Sequence, residues 1–135
     1  MPLSQILAGL PAFLLYFALG LAMLAAFLAV YLAVTPYNEI ALIREGNTAA
    51  AISLAGAIIG YMLPLTRAIA QSVSVLDMVA WGGVALIAQV VVFFVVAKVI
   101  PHFPEAIKVG RVSAATLLAA LAVAVGMLNA AAMTG

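Results

Sequence analysis

Apolar residues fill four long stretches of the chain, at about 11–34, 49–70, 78–97 and 113–133, and polar residues gather in three short joints between them. A helix needs roughly 20 apolar residues to cross a hydrocarbon core about 30 Å thick. The pattern therefore predicts an all-α membrane protein with four transmembrane helices. No joint is long enough to fold by itself, so residues 1–135 are expected to form a single four-helix transmembrane domain.

The ends of the stretches carry chemical signals. Pro36 and Pro101 close the first and third helices, because proline has no N–H for the helical hydrogen bond. Thr48, Asp77 and Ser113 stand at the starts of the second, third and fourth, where a side-chain oxygen can cap free backbone N–H groups. These signals recur. Pro36 and Pro101 are 65 positions apart, as are Thr48 and Ser113, and Ala49-Ala50 matches Ala114-Ala115 at the same offset. The chain reads as a two-helix hairpin written twice, with repeat 1 at about 10–70 and repeat 2 at about 76–134. An even number of spans per copy makes the two copies parallel, related by an axis along the membrane normal.

Composition agrees with lipid as the solvent. The chain is 69% hydrophobic and 7% charged, against about 25% charged in an ordinary globular domain. A net charge of +1 offers no basic surface for nucleic acid. The absence of cysteine removes disulfides, thiolate metal sites and cysteine nucleophiles. The first Lys or Arg is Arg44, so the N-terminal stretch reads as a mature span rather than a signal peptide with its positive leading region. Arg44, Lys98, Lys108 and Arg111 hold or border the first and third joints, against Arg67 alone on the other side. The positive-inside rule then puts those joints in the cytoplasm and both termini outside.

Three groups of residues are candidates for function. In the first joint, TPYNEIALIREGNT, a short interfacial helix between a Thr35-Pro36 start and a Gly46-Asn47 stop would carry charge, making Glu39, Arg44, Glu45 and Asn47 a candidate cytoplasmic docking surface or a solvated connector. Gly56 and Gly60 form a GxxxG pair in the second stretch, and Ala122, Gly126 and Ala130 form a small-residue run in the fourth. Such strips let backbones approach closely, either within one chain or against a second subunit. Pro64 frees the Gly60 carbonyl and is expected to kink the second helix. Ser53, Gln89 and Asn129 are the clearest polar side chains within the spans and, with Tyr61, are candidates for lining a pore or for interhelical contacts. No acidic, basic or histidine side chain lies in mid-span, against the expectation for a proton-coupled pump. His102 is the single histidine, and neither a metal set nor a catalytic pairing accompanies it. No cofactor and no metal site is expected.

The run TPYNEIALIREGNTAAAISLAGAIIGYMLPL, followed by AWGG and the ending NAAAMTG, resembles the YjfL family of bacterial inner-membrane proteins, domain of unknown function 350. The resemblance covers essentially the whole chain. It implies a duplicated pair of two-helix units in the bacterial inner membrane and a partner-dependent, envelope-related role, and it supplies no activity, ligand or catalytic residue. The second joint departs from the first, with Gly110-Arg111-Val112 where the first has Gly46-Asn47 before its threonine.

The expectation is thus a non-enzymatic membrane component that acts by helix packing with itself or with a partner protein in the bilayer. The alternative is a small channel or transporter assembled from several chains, since four helices alone pack into a filled core.

Overall fold

The computed structural model describes residues 2–133. Thr134 and Gly135, which end the NAAAMTG motif and the second repeat as read above, lie outside the described residues. Six helices follow one another: α1 (Leu3–Val34), α2 (Glu39–Arg44), α3 (Thr48–Gln71), α4 (Val75–Val99), α5 (Phe103–Lys108) and α6 (Val112–Ala132). Helices α1, α3, α4 and α6 are long and apolar enough to cross a membrane. Helices α2 and α5 are short connectors at one end of the bundle.

Local chemistry sets most of the ends. Helix α1 starts earlier than the sequence pattern predicts and runs through Pro11. Proline removes one hydrogen bond there, yet a helix in lipid has no better conformation to adopt. It stops at Thr35 because Pro36 drives the residue before it into extended backbone. Helix α2 is capped by Asn38, whose Oδ1 accepts from Ala41 N at 3.1 Å, rather than by Thr35. Both short helices end on a left-handed glycine, Gly46 (φ 88°) and Gly110 (φ 82°). In each case the glycine N–H and the next N–H fold back on the last turn, Gly46 to Ile43 and Asn47 to Leu42, Gly110 to Ile107 and Arg111 to Ala106.

Three expected caps move. Asn47, not Thr48, caps α3, accepting from Ala50 N at 3.0 Å. Ser74, not Asp77, caps α4, accepting from Asp77 N at 3.1 Å. Helix α6 begins after Arg111 with no side-chain cap, and Ser113 falls inside it. The shift around α6 has a cause in the joint. The α1–α2 link spans residues 35–38, whereas the α4–α5 link spans 100–102. With one residue fewer, the chain reverses through His102 in the left-handed region (φ 55°). The connectors therefore correspond at an offset of 64 rather than 65.

Helix α3 is the hub and touches every other helix. Its closest partner is α6. A Cβ added at Gly56 would overlap Ala119, and one added at Gly126 would overlap the Gly60 carbonyl oxygen, so these two backbones touch directly. Helix α4 closes the other side of this pair. Toward the connectors the core is aromatic. Phe27 of α1 stacks on Tyr61 of α3 (4.4 Å between centroids), Tyr31 meets Phe93 of α4 edge-on (5.9 Å), and Phe93 meets Phe103 of α5 (6.0 Å). Helix α1 is the outlier. It is about 48 Å long at 1.5 Å per residue, yet only Phe27 and Tyr31 are buried in the bundle.

Candidate functional site

The most unusual side chain in the bundle is Glu39, the first residue of α2. It is 1% exposed, although the sequence pattern puts it on a solvated docking surface. The reason is positional: α2 lies down on α3, and its first residue is held back to Thr35, at the end of α1, by a hydrogen bond. Thr35 Oγ1 donates to Glu39 Oε1 at 2.7 Å, while Glu39 Oε2 is buried with no partner. Burial pushes the carboxyl above its ordinary range, and the bonds from Thr35 and from its own backbone N–H only partly oppose this.

The same hydroxyl stands 3.3 Å from the Leu32 carbonyl and 3.4 Å from the Tyr37 carbonyl. A hydroxyl carries one proton, so it satisfies one of these three acceptors at a time. The Leu32 carbonyl would ordinarily take the N–H four residues on, but that residue is Pro36. Among the described residues no loop or cap N–H is directed at the Tyr37 carbonyl. The cluster is rich in oxygen and poor in protons. It borders an open depression of about 460 Å³ lined by Leu32, Thr35, Pro36, Tyr37, Asn38 and Glu39. Burial also raises the Tyr37 phenol, with Tyr31 and Glu39 adding to the effect and Ser53 opposing it.

The other residues of the expected docking surface separate. Arg44 and Glu45 are exposed. Asn47 is half-buried and reaches the second connector, where its Nδ2 donates to the carbonyls of Ile107 (2.8 Å) and Lys108 (3.2 Å). One amide thus caps α3 with its oxygen and holds the end of α5 with its nitrogen. This is what Asn47 does that Arg111, its counterpart before α6, does not.

The small-residue strips meet inside the chain. Gly56 and Gly60 of α3 face Ala119, Ala122 and Gly126 of α6, while Ala130 is half-buried further along α6. Gly126 sits against the Gly60 carbonyl, which Pro64 leaves without a helical donor. A Cα–H···O contact fits this close approach. Gln89 of α4 joins the knot, its Nε2 donating to the Ala122 carbonyl at 3.1 Å, with Oε1 buried and unpartnered. Ser53 turns its hydroxyl back to the Ala50 carbonyl at 3.0 Å. Tyr61 lies flat on Phe27, and Asn129 is half-buried near the end of α6. Gln89 and Tyr61 make separate interhelical contacts, while the Ser53 hydroxyl bonds within its own helix. The four polar side chains do not converge on one cavity.

Sequence reasoning singled out Glu39 but missed Leu32, Thr35 and Tyr37 as its surroundings. The signal was present: a proline four residues after Leu32 orphans a carbonyl, and Thr35 and Glu39 flank that proline. At the far end of the bundle, Arg67 Nε donates to the Met133 carbonyl at 3.2 Å and ties α3 to the end of α6.

These features define a polytopic membrane bundle with one buried carboxyl at a connector. Among the described residues no three His, Cys, Asp or Glu side chains come together to hold a metal ion. The model of the family described as Domain of Unknown Function (DUF350) matches residues 5–133, and the chain belongs to that family. It is 42% identical over 130 residues to the UPF0719 inner membrane protein YjfL of Escherichia coli (strain K12), covering 96% of this chain and 98% of that relative. It is 30% identical over 88 residues to the UPF0719 transmembrane protein YshE of Bacillus subtilis (strain 168), covering 65% of this chain and 66% of that relative. No solved structure matches.

Proposed function

We propose that the chain is a non-enzymatic component of the bacterial inner membrane that works by self-association through α1 within an envelope-related complex. The observation that carries this reading is the imbalance of α1. Helices α3, α4 and α6 use their closest-packing surfaces on one another, whereas α1 outruns a hydrocarbon core of about 30 Å by more than half and leaves Leu3, Ile6, Leu7, Leu10, Phe13 and Leu14 exposed. Beside this face, α1 and α3 leave an apolar groove of about 400 Å³ between Phe13, Tyr16, Phe17 and Leu21 on one side and Met62 and Ile69 on the other. Phe13 and Phe17 stack at 5.6 Å along its rim. Association of spans gains from such packing and not from hydrophobic burial alone, because lipid is as apolar as leucine. The favoured occupant is a second copy, which brings an α1 of matching length and surface.

The reading of two parallel hairpin copies is supported by burial. Phe27 and Val92, Tyr31 and Val96, Ala49 and Ala114, and Ala57 and Ala122 stand 65 apart and are buried in both halves. With the positive-inside rule, the connectors and Glu39 face the cytoplasm and both termini the periplasm.

A photo-crosslinking residue placed at Phe13 tests the self-association in native membranes. The expected product is a dimer of this chain, with none from Ile87 on the lipid-facing side of α4. Crosslinks only to a different protein would replace self-association with a heteromeric role. Crosslinks only to lipid at both positions would overturn the reading. A channel formed by several chains is the second reading, and the separation of Ser53, Tyr61, Gln89 and Asn129 within the chain weighs against it.

A further inference from the structure

We propose that Thr35 Oγ1, the Glu39 carboxylate and the Leu32 and Tyr37 carbonyls form a binding site for a single monovalent alkali cation, at the connector end of α1. The argument starts from the count of oxygens and protons. Three acceptor oxygens lie within 3.4 Å of Thr35 Oγ1, which has one proton to give. A fourth acceptor, Glu39 Oε2, is buried and unpartnered. A buried carboxylate without a counter-charge is costly, and no basic side chain contributes to holding Glu39 ionised. The side chains facing it are Tyr31 from α1 and Tyr37 from the joint, neither of them basic, and Ser53 approaches from α3 through Tyr37. Arg44, at the other end of α2, is exposed.

A bound proton would neutralise Glu39 and add a single hydrogen to a cluster of four acceptor oxygens and one hydroxyl. A cation satisfies the whole set at once. Several features choose its class. All donors are oxygen, which suits a hard ion and not a thiolate- or imidazole-seeking metal. A single carboxylate balances one positive charge, whereas calcium takes six to eight oxygens and usually more than one carboxylate. The site also lies at the C-terminal end of α1, where the helix dipole favours a cation, and unwound carbonyls at helix ends coordinate sodium in transporters. The second connector shows the contrast within one molecule. There Ile100 follows α4 where Thr35 follows α1, and Phe103, fully buried, opens α5 where Glu39 opens α2. The second half fills the position with a ring, so one chain binds one ion.

The test uses the intact protein in lipid nanodiscs, exchanged into choline chloride at pH 8 and followed by intrinsic fluorescence during heating. Adding sodium chloride at constant ionic strength is expected to raise the melting temperature saturably, with potassium and lithium giving different half-points and choline no effect. Glu39→Gln removes the charge and Thr35→Val one oxygen while keeping shape. Each is expected to shift the half-point by about tenfold or more. Equal melting temperatures in choline and in all alkali chlorides would overturn the site. So would a wild-type sodium response retained in both variants. The cation comparison on the wild type stands even if a variant fails to fold, and no outcome depends on self-association through α1.

Discussion

Replacing Gly60 by alanine adds one methyl group at the closest approach of α3 and α6. Its Cβ would overlap the Ala122 carbonyl oxygen and stand 2.8 Å from the Ala122 carbonyl carbon and from Gln89 Nε2, inside the 3.4–4 Å of ordinary contact. Two of these three neighbours are backbone, so no rotamer change relieves the overlap. The helices must separate, and overpacking of this kind costs about 1–3 kcal/mol. Separation also weakens the contact between Gly126 and the Gly60 carbonyl, at about 0.5–1 kcal/mol for a Cα–H···O bond. Against this, alanine is the better helix former by about 1 kcal/mol. The net expectation is a loss of about 1–3 kcal/mol, set by the overpacking term. Gly126→Ala acts on the same approach from the other side, and the double variant is expected to lose less than the sum because the helices separate once. Gly83→Ala is the control: nothing lies within 4 Å of its Cβ, so stability should hold or rise. Reversible unfolding in mixed micelles, followed by circular dichroism as the fraction of SDS increases, measures the series. Gly60→Ala and Gly83→Ala within about 0.5 kcal/mol of each other would refute the direct backbone contact.

Other outcomes follow from the same contacts. Asn47→Asp keeps the oxygen that caps α3 but loses the amide that holds Ile107 and Lys108, so hydrogen exchange should speed up in α5 and not in the first turn of α3, while Asn47→Ala should speed both. Gln89→Met should cost at most about 1 kcal/mol, because interhelical hydrogen bonds in membranes average about 0.6 kcal/mol and the change also removes an orphaned oxygen; a larger loss in the same micelle assay would give Gln89 a role beyond packing. In choline buffer, stability should be highest below the ordinary Glu39 value of 4.5 and fall as pH rises through its raised folded value, since the folded state holds that proton more tightly. Glu39→Gln should remove this slope, and a pH titration of the melting temperature checks both.

The spans and their proline stops were legible because membrane thickness and the missing proline N–H act locally. The caps were less so. Asn47 and Thr48 are adjacent residues of similar capping strength, and the choice falls to Asn47, whose amide nitrogen also reaches a helix 60 residues away. The start of α1 was placed at about residue 11, where the apolar stretch was taken to begin, whereas the helix starts at Leu3 and continues through Pro11. The GxxxG strip was visible, but its partner was not: a small-residue face looks alike whether it meets α6 or a second chain. Glu39 was hardest. A charged residue in a polar joint reads as solvated, and only the way α2 lies on α3 buries it.

Self-association through α1 is tested most directly by extracting the protein from its own membrane in native nanodiscs, without detergent exchange, and weighing the particles by native mass spectrometry. The expected result is a closed complex whose protein mass is two or more whole multiples of the single chain, which falls to one chain when Phe13 and Phe17 are both replaced by serine. Particles containing one chain and lipid alone, in the wild type as in the variant, would contradict it.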